Sequence, residues 1–133
     1  SGTLLGYMRG PDGRDEYYVV DVETGEMSNV FSGQLDKYGD GHPHVQNQIM
    51  VTDTYPNKGG MQTLLLVDLD EETVDEVAEL HHGLQYYGES RCDLHPRLSS
   101  DGSIIFFDSV FNGTRKLYAM SRPEAEYVSP YSE

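Results

Sequence analysis

An internal repeat constrains the fold of this chain more than any other feature. His42-Pro43 and His95-Pro96 lie 53 residues apart. Each pair is followed by a short strand-like run, a turn, a run ending in Asp-Thr or Asp-Ser, a Gly-containing loop and a longer run. A third copy without a His-Pro pair begins at Thr3. Such self-similarity predicts stacked units that each bury apolar surface against a neighbour.

The local chemistry of each unit is that of β-structure. Runs such as QIMVTDT, SIIFFDS and YYVVDV are rich in β-branched and aromatic residues, and ten Tyr accompany four Phe without any Trp. The connectors PDGR, ETGE, PNKGG, SSDG and FNGT carry turn-forming residues. The acidic stretch LDEETVDEVAEL is the one helix-like segment, and the repeat alignment predicts an outer strand and hairpin there instead. The fold class predicted is therefore all-β.

Four antiparallel strands in each unit of about 40 to 50 residues are typical of a β-propeller blade. The predicted blades are residues 3–31, which lack a first strand, residues 42–79 and residues 95–131, all within one propeller domain over residues 1–133. The chain thus supplies about two and a half to three blades, whereas propellers need about four to eight. We expect the remaining blades to come from the same protein or from other copies of the chain.

Charge and composition exclude several classes of partner. The formal net charge of −14 argues against nucleic acid and against an acidic membrane surface, because both attract Lys and Arg. The single Cys92 excludes an internal disulfide. No apolar run is long enough to cross a bilayer, and the first residues lack a signal-peptide core, so the sequence leaves the localisation open.

Two resemblances carry functional expectations. The segment HPRLSSDGSIIFFDSVFNGTRKLYAM, residues 95–120, resembles the propeller repeat of TolB-type proteins, and residues 42–69 resemble it more loosely. The segments YGDGHPHVQ and RCDLHPR resemble propeller-type polysaccharide lyases, which include oligogalacturonate lyases and ulvan lyases. The first resemblance implies the fold alone, and the second implies an acidic polysaccharide or oligosaccharide as the partner and a secreted or periplasmic location.

The lyase resemblance also implies a metal. The oligogalacturonate pattern would assign manganese to His42 and His44, but Gly39 stands where that pattern has Gln. The ulvan pattern would assign zinc to His42 and Cys92, with His95 as a further ligand. The departure at Gly39 therefore favours zinc over manganese.

The positions and side-chain chemistry of the His-Pro segments point to the same part of the chain. Because both His-Pro pairs precede an innermost strand, their side chains should meet at one rim of the propeller. Imidazole, thiolate and carboxylate are zinc ligands, and the candidates are His42, His44, Cys92, His95 and Asp40. The alternative is that these histidines and the thiol are packed structural groups. Asp53 and Asp108 could belong to calcium-binding loops. Because both end a strand in their repeat unit, a turn role repeated in each unit is the favoured interpretation.

A lyase acting on uronate sugars also needs a base, an acid and a cation for the carboxylate. The first candidates lie in the loop LHHGLQYYGESR and are His81, His82, Tyr86, Tyr87 and Arg91. Lys37 and Tyr38, just before the first His-Pro pair, are candidates of second rank. The alternative is a Tyr-rich surface loop without function. We therefore expect a polysaccharide lyase that cleaves by β-elimination, or else a TolB-like propeller that binds a protein or glycan without catalysis.

Overall fold

The chain is all-β, as the sequence predicts. The computed structural model describes residues 2–30, 34–83, 86 and 91–123. Within these ranges ten strands form three antiparallel sheets, and the helical content is one 3₁₀ turn at Asp36–Tyr38. No helix in this part of the chain is long and apolar enough to cross a membrane. The first sheet contains β1 (Thr3–Arg9), β2 (Asp15–Asp21) and β3 (Met27–Asn29); the second contains β4 (His44–Gln46), β5 (Ile49–Asp53), β6 (Met61–Asp68) and β7 (Thr73–His81); the third contains β8 (Arg97–Leu98), β9 (Ile104–Ser109) and β10 (Lys116–Ser121).

The acidic helix-like stretch forms the outer strand of the second sheet. β7 pairs with β6 from His81 opposite Met61 to Thr73 opposite Asp68, with one irregularity between Leu64 and Leu65. The predicted strand is confirmed, because pairing along β6 satisfies the backbone of β7 and leaves its glutamates on exposed positions.

Turns of the same construction recur between the repeats. The Asp21 carboxylate accepts hydrogen bonds from the backbone N–H groups of Glu23 and Thr24 after β2. The Asp68 carboxylate accepts the equivalent pair from Asp70 and Glu71 after β6. Asp21 and Asp68 therefore occupy corresponding positions in the first and second sheets. Aligning these two residues aligns the strands of one sheet with those of the other.

The second sheet is buried on both faces. Side chains alternate along a strand, so Met50 and Val67 lie on one face while Val51 and Leu66 lie on the other. Met50 and Val67 pack with Tyr17 and other residues of the first sheet in one core. In a second core, the opposite face packs against the third sheet; the buried members of this core are Val51, Leu64, Leu66, Leu94, Leu98, Ile105 and Phe107. Each fully buried Leu or Val contributes roughly 1.5 to 3 kcal/mol.

The three sheets therefore stack in a row in chain order. They span residues 3–29, 44–81 and 97–121, and residues 124–131 of the third predicted blade lie outside the described residues. A short strand precedes β5 and β9, whereas no strand pairs with the other edge of β1 within the described residues. In the part of the chain that the structure describes, this row does not close into a ring, and the propeller remains a prediction.

Candidate metal centre between the second and third sheets

A buried carboxylate joins the two His-Pro segments. Asp53, at the end of β5, is only 2% exposed. Its Oδ1 accepts a hydrogen bond from the backbone N–H of His42 at 2.8 Å, and its Oδ2 accepts one from the backbone N–H of His95 at 3.0 Å. One side chain thus holds the entrances of the second and third sheets together, although 42 residues separate it from His95.

The path of the chain into His42 depends on a glycine. A Cβ at Gly41 would overlap the backbone oxygen of Asp53 and the hydroxyl groups of Tyr17 and Thr52. Gly41 therefore lets the backbone lie directly against β5, where the N–H of His42 meets the Asp53 carboxylate.

The same carboxylate orients the imidazole of His42. Nδ1 of His42 lies 3.1 Å from both Asp53 oxygens. An ionised carboxylate only accepts hydrogen bonds, so this contact favours the tautomer with the proton on Nδ1, and in a neutral imidazole of that tautomer Nε2 has the free lone pair. A carboxylate behind the imidazole is the arrangement that orients metal-binding histidines in proteins.

His95 stacks on His42 from the neighbouring sheet. The two ring centroids are 3.8 Å apart at an interplanar angle of 32°. His95 has a φ of +42°, which is rare for a residue other than glycine and unfavourable before a proline. Such strain persists only where the surroundings hold it, and here the Asp53 carboxylate binds the His95 N–H.

Asp93 completes a group of three possible ligands. One ligand atom each from His42, Asp93 and His95 lies within 4.8 Å of the others. Oδ1 of Asp93 is buried and accepts no hydrogen bond, although Nε of Arg91 lies 2.9 Å away. Oδ2 accepts a hydrogen bond from Nη2 of Arg91 at 3.1 Å. The group therefore offers two imidazoles and one carboxylate, and the carboxylate is already paired with Arg91.

Arg91 and Tyr55 border this group. The Arg91 guanidinium lies over the Tyr55 ring, 4.6 Å from its centroid. The Tyr55 ring packs edge to face with His42, with centroids 5.8 Å apart. Desolvation and then the nearby Asp40 carboxylate raise the pKa of Tyr55, so its hydroxyl keeps its proton at neutral pH.

The remaining predicted ligands lie apart from the group of three. Cys92 is fully buried, and its Sγ accepts a hydrogen bond from Nε of Arg115 at 3.4 Å. Nδ1 of His44 accepts the backbone N–H of Leu98 at 3.0 Å, so this nitrogen already has a structural partner. Asp40 is exposed and accepts a long 3.5 Å hydrogen bond from Tyr55.

Two of the predicted catalytic residues, His82 and Tyr86, hold structural contacts. Buried His82 uses both ring nitrogens, since Nε2 accepts the Cys92 N–H and Nδ1 lies 3.1 Å from the backbone oxygen of Gly83. The Tyr86 hydroxyl donates to the backbone oxygen of Gly113 at 3.0 Å. His81 is exposed at the end of β7, and Tyr87 lies outside the described residues.

The second-rank candidates lie in the 3₁₀ turn before the second sheet and contact each other. The Lys37 ammonium is 5.0 Å from the centroid of the Tyr38 ring. The Tyr38 hydroxyl donates to Glu76 at 2.7 Å, and desolvation followed by this contact raises the pKa of Tyr38 to about 12. Of the predicted catalytic residues that the structure describes, Arg91 alone contacts a member of the group of three through its side chain.

Sequence reasoning missed Asp93 and Tyr55. Asp93 lies inside the segment RCDLHPR, where Cys92 is the more conspicuous ligand type, and Tyr55 follows the strand that ends at Asp53. A search of every acidic or aromatic residue within two positions of a strand end or His-Pro pair would have included both.

A scan of protein-family models and a search of curated proteins found no match to this chain.

Proposed function

We propose that His42, Asp93 and His95 bind a divalent cation at the junction of the second and third sheets. The observation that carries this proposal is the 4.8 Å grouping of their ligand atoms, together with the Asp53 carboxylate behind His42. Two imidazoles and one carboxylate match zinc better than calcium, which prefers oxygen ligands throughout. Manganese also favours oxygen over imidazole, so zinc is the cation of choice.

The proposed ligand set differs from the set that the lyase resemblance implies. Asp93 takes the place of Cys92, because the Cys92 thiol faces Arg115 and lies in the buried part of the chain. Three protein ligands leave one position open around a tetrahedral zinc ion, which is the arrangement of catalytic rather than closed structural sites.

We further propose that this junction belongs to a β-propeller that cleaves an acidic, uronate-containing polysaccharide by β-elimination. In that reaction a base removes the proton next to the sugar carboxylate. The carbon–oxygen bond to the leaving sugar then breaks, a carbon–carbon double bond forms, and the leaving oxygen takes up a proton. A bound zinc ion would stabilise the negative charge that develops on the substrate carboxylate.

The residues around the group fit two further roles in this reaction. Arg91, whose side chain is 45% exposed, would pair with a carboxylate of the substrate in addition to Asp93. Tyr55 holds its proton at neutral pH beside His42, which suits an acid for the leaving oxygen. Tyr87 stays a predicted catalytic residue, because it lies outside the described residues.

The lyase proposal is tested by the absorbance of its product. Incubation of the chain with zinc and either ulvan or pectate oligomers should increase the ultraviolet absorbance as unsaturated uronates form. Arg91→Ala should reduce this rate by about tenfold or more, since the carboxylate loses its charged partner. Arg122→Ala, which removes a guanidinium near Asp68 and Asp75 instead, is the matched control and should react as fast as the unsubstituted chain. Absence of any increase with both substrates would contradict the lyase proposal.

The structural contacts of His82 and Tyr86 favour a second candidate. Both were predicted as catalytic, and both are engaged with the backbone. A TolB-like propeller that binds a glycan or protein through the cation site, without cleaving it, is consistent with this observation. Zinc-dependent retention of an oligogalacturonate without any increase in absorbance would favour this second candidate over the lyase.

A further inference from the structure

The two outer faces of the row of sheets expose large apolar side chains. On the third sheet, Ile105 and Phe107 face the second sheet, so Ile104 and Leu117 lie on the opposite face. Leu117 is 60% exposed. On the first sheet, Leu5 faces the second sheet and Leu4, on the opposite face, is 62% exposed.

Each exposed leucine has a buried counterpart in the second sheet. Asp108 and Asp53 occupy corresponding positions in the repeat. Leu117 pairs with Asp108 and Leu64 pairs with Asp53, so Leu64 is the counterpart of Leu117. Leu64 is 0% exposed because the third sheet covers it. The third sheet therefore repeats the face that binds a following sheet, but nothing in the described residues covers it.

The first sheet shows the complementary face. Aligning the Asp21 and Asp68 turns makes Leu4, which pairs with Val20, the counterpart of Met50, which pairs with Val67. Met50 is 0% exposed and packs against the preceding sheet. Leu4 thus lies on the face that would bind a preceding sheet.

The two end regions of the row differ in the sign of their net charge. In this acidic chain the third sheet and its flanking loops, residues 91–123, are the basic part, whereas residues 2–30 are acidic. Residues 91–123 contain five basic side chains, Arg91, Arg97, Arg115, Lys116 and Arg122, and three acidic ones, Asp93, Asp101 and Asp108. Residues 2–30 contain six acidic side chains, Asp12, Asp15, Glu16, Asp21, Glu23 and Glu26, and two basic ones, Arg9 and Arg14. Opposite regional charges assist the encounter of two such surfaces.

We propose that the outer face of the third sheet binds the outer face of the first sheet of a second copy of this chain. The contact would repeat the sheet-on-sheet packing that already occurs twice within one chain, and it would cover both Leu4 and Leu117. Because the two surfaces differ, the association is head to tail and continues to a ring or a longer row. The inference goes beyond the cation site, which lies within one copy.

Two substitutions separate head-to-tail association from other modes. The unsubstituted chain should show a mass in sedimentation velocity that rises with concentration above 15.0 kDa. Leu117→Asp and Leu4→Asp should each give a mass near 15.0 kDa, because each loses one of the two faces. An equimolar mixture should form a 1:1 complex of about twice that mass, since each variant keeps the face that the other lacks. Both leucines are exposed, so neither change disturbs the core.

Val45→Asp is the matched control. Val45 is a strand residue of 36% exposure that lies on neither outer face, and its change adds the same charge. This variant should associate like the unsubstituted chain. A constant mass of 15.0 kDa for the unsubstituted chain at all concentrations would overturn the proposal, and so would self-association of Leu4→Asp alone. Zinc uptake by the monomeric Leu117→Asp chain tests the cation site separately, so the two proposals fail independently.

Discussion

The two junctions of this chain share a packing plan but differ in the side chains that fill them. Between the first and second sheets, Tyr7 packs edge to face with Tyr17, and the Tyr17 hydroxyl shares a 2.8 Å hydrogen bond with Thr52. Between the second and third sheets, the position that corresponds to Tyr7 is Asp53, which holds His42 and His95. The difference shows that the repeat provides the close approach, whereas one carboxylate and two His-Pro pairs provide the candidate chemistry.

The largest effect should follow removal of the carboxylate from the second junction. Asp53→Ala leaves the N–H groups of His42 and His95 without their acceptor inside the protein. We expect the free energy of unfolding to fall by about 3 kcal/mol, which urea unfolding followed by circular dichroism measures.

The matched change in the third sheet is Asp108→Ala. Asp108 contacts Arg97 at 3.5 Å, and both side chains are partly exposed, so we expect a loss below about 1 kcal/mol. Equal losses for Asp53→Ala and Asp108→Ala would contradict the special position of Asp53.

Asp53 should also affect the affinity for zinc. Asp53→Asn should weaken zinc binding by about 10- to 100-fold, because the carboxylate behind His42 is lost.

A smaller effect is expected at the first junction. Tyr17→Phe removes the hydroxyl that bonds Thr52 in the buried core and should lower the free energy of unfolding by about 1 kcal/mol. Zinc affinity should not change, since this junction holds no member of the proposed site. A change in zinc affinity with Tyr17→Phe would show that the two junctions are coupled. A double-mutant cycle with Thr52→Val isolates the energy of the pair.

The smallest effect concerns the turn before β9 and appears in acid. Hydrogen bonds from the backbone of Ser103 and from the hydroxyls of Ser99 and Ser103 lower the pKa of Asp101 from 3.8 to about 2. A lowered pKa in the folded state stabilises the fold above pH 3.8, and this contribution disappears as the pH falls through about 2. Asp101→Asn should therefore be less stable than the unsubstituted chain at neutral pH, with the difference narrowing between pH 3.8 and about 2. A difference that stays constant over this range would contradict the assignment.

Much of the fold follows from the sequence because strands and turns are local. Alternating apolar residues and the Asp turns predict the strands of each unit, and the acidic stretch at β7 is correctly assigned by its place in the repeat. The repeat also predicts that His42 and His95 lie at one junction. Whether three sheets continue to a closed ring does not follow, because that depends on surfaces outside one unit.

The side chains of the site were less predictable than its location. His95 has a positive φ that no periodic pattern indicates, since it depends on a contact with Asp53 across the junction. Cys92 has the ligand type expected for zinc, but the next residue, Asp93, provides the side chain near both histidines. Ligand type can be taken from the sequence, whereas the direction of a side chain in an irregular segment requires the tertiary structure.

Cation binding at the second junction through His42, Asp93 and His95 is the proposal on which the other functional inferences depend. Its most direct test is a zinc titration of the untagged chain by calorimetry, with His95→Ala and His44→Asn compared. His44→Asn keeps an acceptor for the Leu98 N–H, so it preserves the fold while it removes an imidazole that the site does not use. We predict one zinc ion per chain, a loss of affinity of about a hundredfold or more for His95→Ala, and unchanged binding for His44→Asn. Absence of zinc binding in the unsubstituted chain, or a loss with His44→Asn but not with His95→Ala, would rule out this cation site.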